Sequence, residues 1–256
     1  ALEAQDYAHS LSLFQEALQQ GLSTKELEAA ALNMHGTYMF VMGEAKRALE
    51  DLDRSIELSP ENVQTWVKKA SVHVELGDKD AAMADFDRAV ALNADDADIY
   101  YHRGQVHFIL GEFEAAMSDY SKSTSLDDTF IFSQVQHAVA SYKLGNIARS
   151  TAEFCRILKK FSDSSESYNY FGELMLDQQR HEDAVANFDK SIALEQAKPK
   201  GKNVLPMINK ALVLFQWKQD LSGAEQLCRD ALRIDPDCDV AIATSQSGSM
   251  RRASRH

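Results

Sequence analysis

Eight histidines and three cysteines are the side chains of this chain best suited to hold a metal or attack a substrate, and their spacing suits neither task. A helical zinc site needs two histidines four apart on one face. No such pair occurs, and His102 and His107 stand five apart, on different faces of one helix. The histidines therefore read as structural. Cys155, Cys228 and Cys238 are odd in number and lack any CxxC spacing, which argues against a disulfide framework or a thiolate metal site and for reduced thiols. The acid pairs Asp51/Asp53 and Asp95/Asp96 fall on exposed helix and turn positions, as solvated charge rather than a general acid and base. Neither a glycine-rich phosphate loop nor a Ser-x-Gly elbow is present. The reading is of a chain with no catalytic residue, metal or cofactor, and not an enzyme.

Charge narrows the partners. A net charge of −12 disfavours nucleic acid, which requires a basic face, and favours cationic or amphipathic polypeptides. The basic run Lys198, Lys200 and Lys202 is too short to hold a membrane surface. Arg251-Arg252-Ala253-Ser254 matches a basophilic kinase site, a motif short enough to recur by chance. With 45% hydrophobic and 26% charged residues the chain is composed like a folded protein. No apolar run reaches the roughly eighteen residues of a membrane span. The chain opens on Ala1 rather than Met, so an upstream segment is expected.

What positions these residues is a 34-residue step. Small residues recur at Gly36, Ala70, Gly104, Ala138 and Gly172. A second ladder reads Gly43, Gly77, Gly111, Gly145 and then Gln179, and a third Ala48, Ala82, Ala116, Ser150 and Ala184. A fourth carries the bulk: Leu52, Phe86, Tyr120, Phe154 and Phe188. The spacing and residue set resemble the tetratricopeptide repeat, in which each unit is a helix–turn–helix. The expected fold class is all-α, a right-handed superhelical solenoid of such repeats.

The expected organisation follows from the step. Residues 1–28 read as the second helix of a partial repeat, marked by Tyr7, Phe14 and Ala17, plus a linker. Residues 29–198 hold five contiguous repeats, 199–204 a flexible basic insertion, and 205–238 a sixth repeat. Residues 239–256 begin a truncated seventh helix and pass into a tail, expected to be disordered, that abandons the pattern from Ser245.

The first helices of such units line an inner face, and their inward positions carry the candidate site. They give Phe40, then Val67, Ser71 and Val74, then Tyr101, Gln105 and Phe108. Phe132, Val135, Val139 and Tyr142 follow, then Asn169, Glu173 and Leu176, and finally Val213 and Trp217. Valines and aromatics with scattered polar groups suit an extended or amphipathic peptide. A clamp for chaperone carboxylate termini would need Lys, Asn and Arg on three successive first helices. The matching places hold Asn33 and Thr37, Lys68, then Asp98 and His102, with an acid where a base is required. No chaperone tail is expected to dock here.

Longer stretches carry a closer likeness. Thr65–His73, Tyr100–Val106, Tyr142–Ile147 and Tyr170–Arg180 resemble the C-terminal repeats of the 70-kDa preprotein receptor of the mitochondrial outer-membrane translocase, most of all its fungal forms. The likeness spans roughly residues 25–242. It implies a receptor segment that binds internal targeting sequences of hydrophobic precursors such as inner-membrane carriers, and that meets other translocase subunits. It also implies a place on the cytosolic side of the mitochondrial outer membrane, through an anchor absent from this chain. Chaperone docking would belong to an upstream clamp domain, equally absent here. The alternative is a generic repeat scaffold or co-chaperone.

Overall fold

The computed structural model describes residue 16 and residues 24–243, and all regular structure among them is α-helical. Tyr7, Phe14, Ala17, the tail from Ser245 and the Arg251–Ser254 motif lie outside the described residues. The chain divides into two compact units, residues 1–144 and 145–256.

The first unit contains α1 (Lys25–Val41), α2 (Ala45–Leu58), α3 (Val63–Glu75), α4 (Lys79–Leu92), α5 (Ala97–Ile109), α6 (Phe113–Leu126) and α7 (Ile131–Lys143). Side-chain caps start several of them. Thr24 Oγ1 accepts the Leu27 N–H at 3.2 Å, and Asp78 Oδ1 accepts the Ala81 N–H at 3.0 Å. The Thr24 cap corrects the expected boundary. Residues 25–28 belong to helix α1 rather than to a linker, because its cap lies five residues ahead of the repeat frame.

The glycine ladder closes the corners between paired helices. At the end of α1 the Gly43 N–H reaches the Phe40 carbonyl at 3.0 Å and the Glu44 N–H reaches the Met39 carbonyl at 2.9 Å. That pairing satisfies the last carbonyls only if the corner residue turns left-handed, and Gly43 sits at φ 78°. Gly77 and Gly111 repeat the bonds one and two units on.

Packing follows the other ladders. Leu52, Phe86 and Tyr120 are wholly buried. Phe86 joins Val67, Ala70, Ala82, Ala89, Ile99 and Val106 in one cluster, so side chains of α4 bind α3 of their own repeat and α5 of the next. Burying an aromatic of that size contributes about 1.5–3 kcal/mol. Close approach of α5 and α6 depends on Gly104, where a Cβ would stand 2.8 Å from the Tyr120 ring.

The second unit contains α8 (Ile147–Lys160), α9 (Ser165–Asp177), α10 (His181–Ala197), α11 (Leu205–Lys218) and α12 (Leu221–Ile234), with residues 239–243 again helical. Phe154 and Phe188 continue the bulky ladder and are wholly buried, and Phe154 stacks on Phe171 at 5.3 Å between ring centroids. The corner after α9 takes the left-handed form with Gln179, at φ 59°.

Helix α10 runs 17 residues where α8 and α12 run 14. Its added turn carries Glu195, 3% exposed, whose carboxylate accepts from the Ser165 hydroxyl, from Lys198 Nζ at 2.6 Å and from the Asn203 N–H at 2.7 Å. Lys198 also reaches Glu166. The basic insertion, expected to be flexible, is thus tied at both ends to one buried carboxylate.

Candidate peptide-binding face

In the first unit the first helices of successive hairpins present Tyr101, on α5, as the hub of an aromatic cluster. Its ring lies 5.0 Å from Phe130, 6.4 Å from Phe132, 6.2 Å from Tyr120 and 5.2 Å from His102, centroid to centroid. Gln105 Nε2 donates to the Tyr101 hydroxyl at 3.0 Å, and Gln105 Oε1 faces His102 Nδ1 at 3.1 Å. This polar lock holds the Tyr101 ring on the platform. Phe132 leaves 46% of its surface in solvent, a large apolar group that the fold has not covered.

The other expected residues divide. Phe40 and Val74 are half-buried against the cores of their own hairpins. Phe108 lies edge-on to Phe113 at 5.2 Å. Val139 and Tyr142 are half-buried on α7. Ser71 turns its hydroxyl back to the Val67 carbonyl at 3.1 Å. Val67 and Val135 correct the expectation, because they keep only 2% and 3% of their surface and belong to the interior. Val67 packs into the cluster that Phe86 shares with Ala70, Ala82 and Ile99.

In the second unit, Asn169 Nδ2 donates to Glu173 Oε1 at 2.7 Å. Asn209 Nδ2, from α11, donates to Asn169 Oδ1 at 3.0 Å and to Glu173 Oε1 at 2.8 Å. Desolvation pushes the Glu173 carboxyl up, against the two amide hydrogen bonds, and the charge of Asp177 adds to the rise. Glu173 itself stays open to water, so screening limits what that rise is worth. Leu176 is half-buried beside this network on α9. Trp217 stacks on His181 at 5.4 Å and 25°. Val213 is wholly buried, a third correction of the same kind.

Sequence reasoning missed one residue. Phe130 caps α7 from the inter-repeat turn, outside the helix positions searched, although an aromatic two residues before Phe132 was signal enough. The described residues contain no group of three or more side chains able to hold a metal, and no helix long and apolar enough to cross a membrane. His107 is engaged with Glu112 at 2.7 Å, a structural role.

A family profile described as "TPR repeat" matches residues 70–111, and one described as "Tetratricopeptide repeat" matches residues 97–130. The fold is an all-α solenoid of tetratricopeptide repeats. The likeness to the 70-kDa import receptor covers most of this chain and the smaller part of the curated receptors. The mitochondrial import receptor subunit TOM70 of Mus musculus is 30% identical over 241 residues, 88% of this chain and 39% of that protein. The Homo sapiens subunit gives the same identity and coverage. The crystal structure of yeast Tom70 superposes with a TM-score of 0.87 at 25% identity, over 97% of this chain and 52% of that one. A tetratricopeptide repeat protein from Parabacteroides merdae, at 16% identity and TM-score 0.71, shares the fold. The chain therefore spans about two fifths of the curated receptors it matches. These are receptors and repeat proteins by name, not enzymes.

Proposed function

We propose that this chain is the precursor-binding segment of a mitochondrial import receptor, taking internal targeting segments of hydrophobic precursors such as inner-membrane carriers. The exposed Phe132 on the Tyr101–Phe130 platform carries this reading. It is an anchor for a large apolar guest side chain, rimmed by the Gln105 and His102 polar groups that would meet a guest backbone. Membership of the translocase, contact with its other subunits, and a place on the cytosolic side of the mitochondrial outer membrane belong to the same proposal. So does chaperone docking through an upstream clamp domain rather than through these repeats. The likeness to the mouse and yeast receptors supports the receptor role and its place in the translocase.

The test is titration of the chain with fluorescein-labelled segments tiled from an inner-membrane carrier. Saturable, salt-tolerant binding is expected for a subset, weakened about tenfold by Phe132→Ala with an unchanged melting temperature. Flat curves from the folded chain would refute it.

One observation favours a scaffold instead. Val41 and Ile109, at the ends of α1 and α5, leave 75% and 72% of their surface exposed. Were partner capture lost in Val41→Ser/Ile109→Ser and retained in Phe132→Ala, the scaffold reading would replace the receptor.

A further inference from the structure

An acid three residues after a serine or threonine is what an acidophilic kinase reads, and four described positions have it: Thr124, Ser125, Ser150 and Ser222. The fold separates them. Ser150 is wholly buried and Thr124 half-buried. Ser222 is exposed, but it and Glu225 lie inside α12, which would have to unwind before a kinase met them in extended form. Ser125 is exposed on the last turn of α6, and the acids Asp127 and Asp128 stand beyond the helix end. The Asp127 backbone is already extended, at φ −137° and ψ 102°.

The turn that follows is the one that seats Phe130. Asp127 Oδ1 accepts the Thr129 N–H at 2.9 Å and the Thr129 hydroxyl at 2.6 Å, and the Asp127 carbonyl accepts the Phe130 N–H at 3.3 Å. Gln134 Nε2, from α7, donates to the Asp128 carbonyl at 2.8 Å. So held, the Phe130 ring lies 5.0 Å from Tyr101 and 5.9 Å from Phe132. A phosphate on Ser125 would bring nearly two negative charges to the negative end of α6, beside two acids. Lys122, one turn back, has its Nζ over the Tyr100 ring at 5.7 Å, and one exposed lysine offsets only part of that repulsion.

We propose that Ser125 is a phosphorylation site for an acidophilic serine kinase, and that its phosphate loosens the turn that seats Phe130. The Ser125 Oγ attacks the γ-phosphorus of a nucleoside triphosphate. The Oγ–P bond forms as the bond to the diphosphate leaving group breaks, and the hydroxyl proton passes to the kinase's base. The consequence for guests rests on the receptor reading above: Phe130 withdraws from Tyr101, Phe132 loses its backing, and apolar segments are released.

The experiment incubates the folded chain with magnesium ATP and a casein-type acidophilic kinase, and places the phosphate by mass spectrometry. Ser125 should be modified, Asp128→Asn should slow the transfer about tenfold, and Ser125→Ala should abolish it, with thermal melts showing that both variants fold. Hydrogen exchange over residues 127–132 should quicken about fivefold on phosphorylation. Affinity for the carrier segments that Phe132→Ala weakens should fall about tenfold, and kinase-treated Ser125→Ala should keep it. No phosphate on Ser125, or phosphate on Ser222 in its place, would overturn the site. Phosphate on Ser125 with unchanged exchange would overturn its action on the turn, and quickened exchange with unchanged affinity would overturn the release of guests; both leave the receptor reading standing. If no segment binds even the unmodified chain while exchange responds, the receptor reading falls and the Ser125 site stands.

Discussion

Arg103 on α5 holds Asp119 on α6 with two parallel hydrogen bonds, Nε to Oδ2 at 2.9 Å and a terminal nitrogen to Oδ1 at 2.8 Å. The two residues are 16 apart, and that step ties other hairpins too: His35 to Asp51 at 2.5 Å and Lys69 to Asp85 at 3.8 Å. The Asp119 hydrogen bonds hold the Arg103 pKa above its ordinary value. Each pair crosses from the first to the second helix of its own repeat, where the carboxylate is nearly out of water.

Asp119→Ala should therefore destabilise the chain by about 3 kcal/mol, because it leaves a guanidinium that is only about one-fifth exposed with the solvent-exposed Asp87, at 3.6 Å, as its remaining acid. The double variant Arg103→Met/Asp119→Leu should recover most of that loss by replacing the pair with apolar packing. Urea unfolding of both variants checks the claim. A double variant no more stable than Asp119→Ala would mean the ion pair is not the source.

Gly104→Ala should cost about 1–3 kcal/mol, since the new Cβ meets the Tyr120 ring at 2.8 Å and that ring is sealed on all sides. Gly104→Leu should cost more by wedging α5 from α6. Thermal melts of the two would reveal a mistaken register if neither fell.

Gln179 sits at the corner that four glycines fill elsewhere, at φ 59°. Gln179→Gly should raise stability by about 0.5–1 kcal/mol, because relief of the left-handed strain exceeds the entropy a glycine loses on folding. Gly111→Ala, placing a side chain at φ 76°, should move stability the opposite way. Melting temperatures of the pair give the comparison.

Glu195 predicts an acid limb. Burial pushes its carboxyl up, but the hydrogen bonds from Lys198, Ser165 and the Asn203 N–H, with the Lys198 charge, outweigh that and hold it below the ordinary 4.5. A depressed carboxyl stabilises the fold above the unfolded value, and that stability is lost as pH falls through the folded one. Lys198 is raised above 10.5, chiefly by the same hydrogen bond, so its share is present below that value and lost as pH climbs through the folded one. Glu195→Gln should flatten the loss of stability below about pH 4.5. Denaturant midpoints between pH 7 and pH 3 measure it, and an unchanged acid slope would count against the bond network.

The helical hairpins were legible because each ladder answers to one local demand. Phe86 fills an inter-repeat gap, Gly77 makes a corner and Ala82 lets two helices meet. The site was legible only in part. Val67, Val135 and Val213 stand at the repeat position that elsewhere carries Tyr101 and Asn169 or lies one turn from it. Whether such a side chain meets a guest or a neighbouring helix depends on helix crossing, which no single-residue position encodes. Tyr101 escapes the interior because its ring is too large for the slot and its hydroxyl takes a hydrogen bond from Gln105. Ser125 was hidden for a different reason. Its short motif recurs at Thr124, Ser150 and Ser222, and only burial and helix ends tell the four apart.

The Glu195 knot shows how a strictly periodic array can absorb extra length. Six added residues leave the sixth hairpin seated on the fifth, with Ile192 of α10 packed against Met207 and Ile208 of α11, since one acid gathers the slack and returns the backbone to step. Unrelated sequence could be spliced between Lys198 and Asn203 and displayed there without cost to the stack, provided those two anchors were kept.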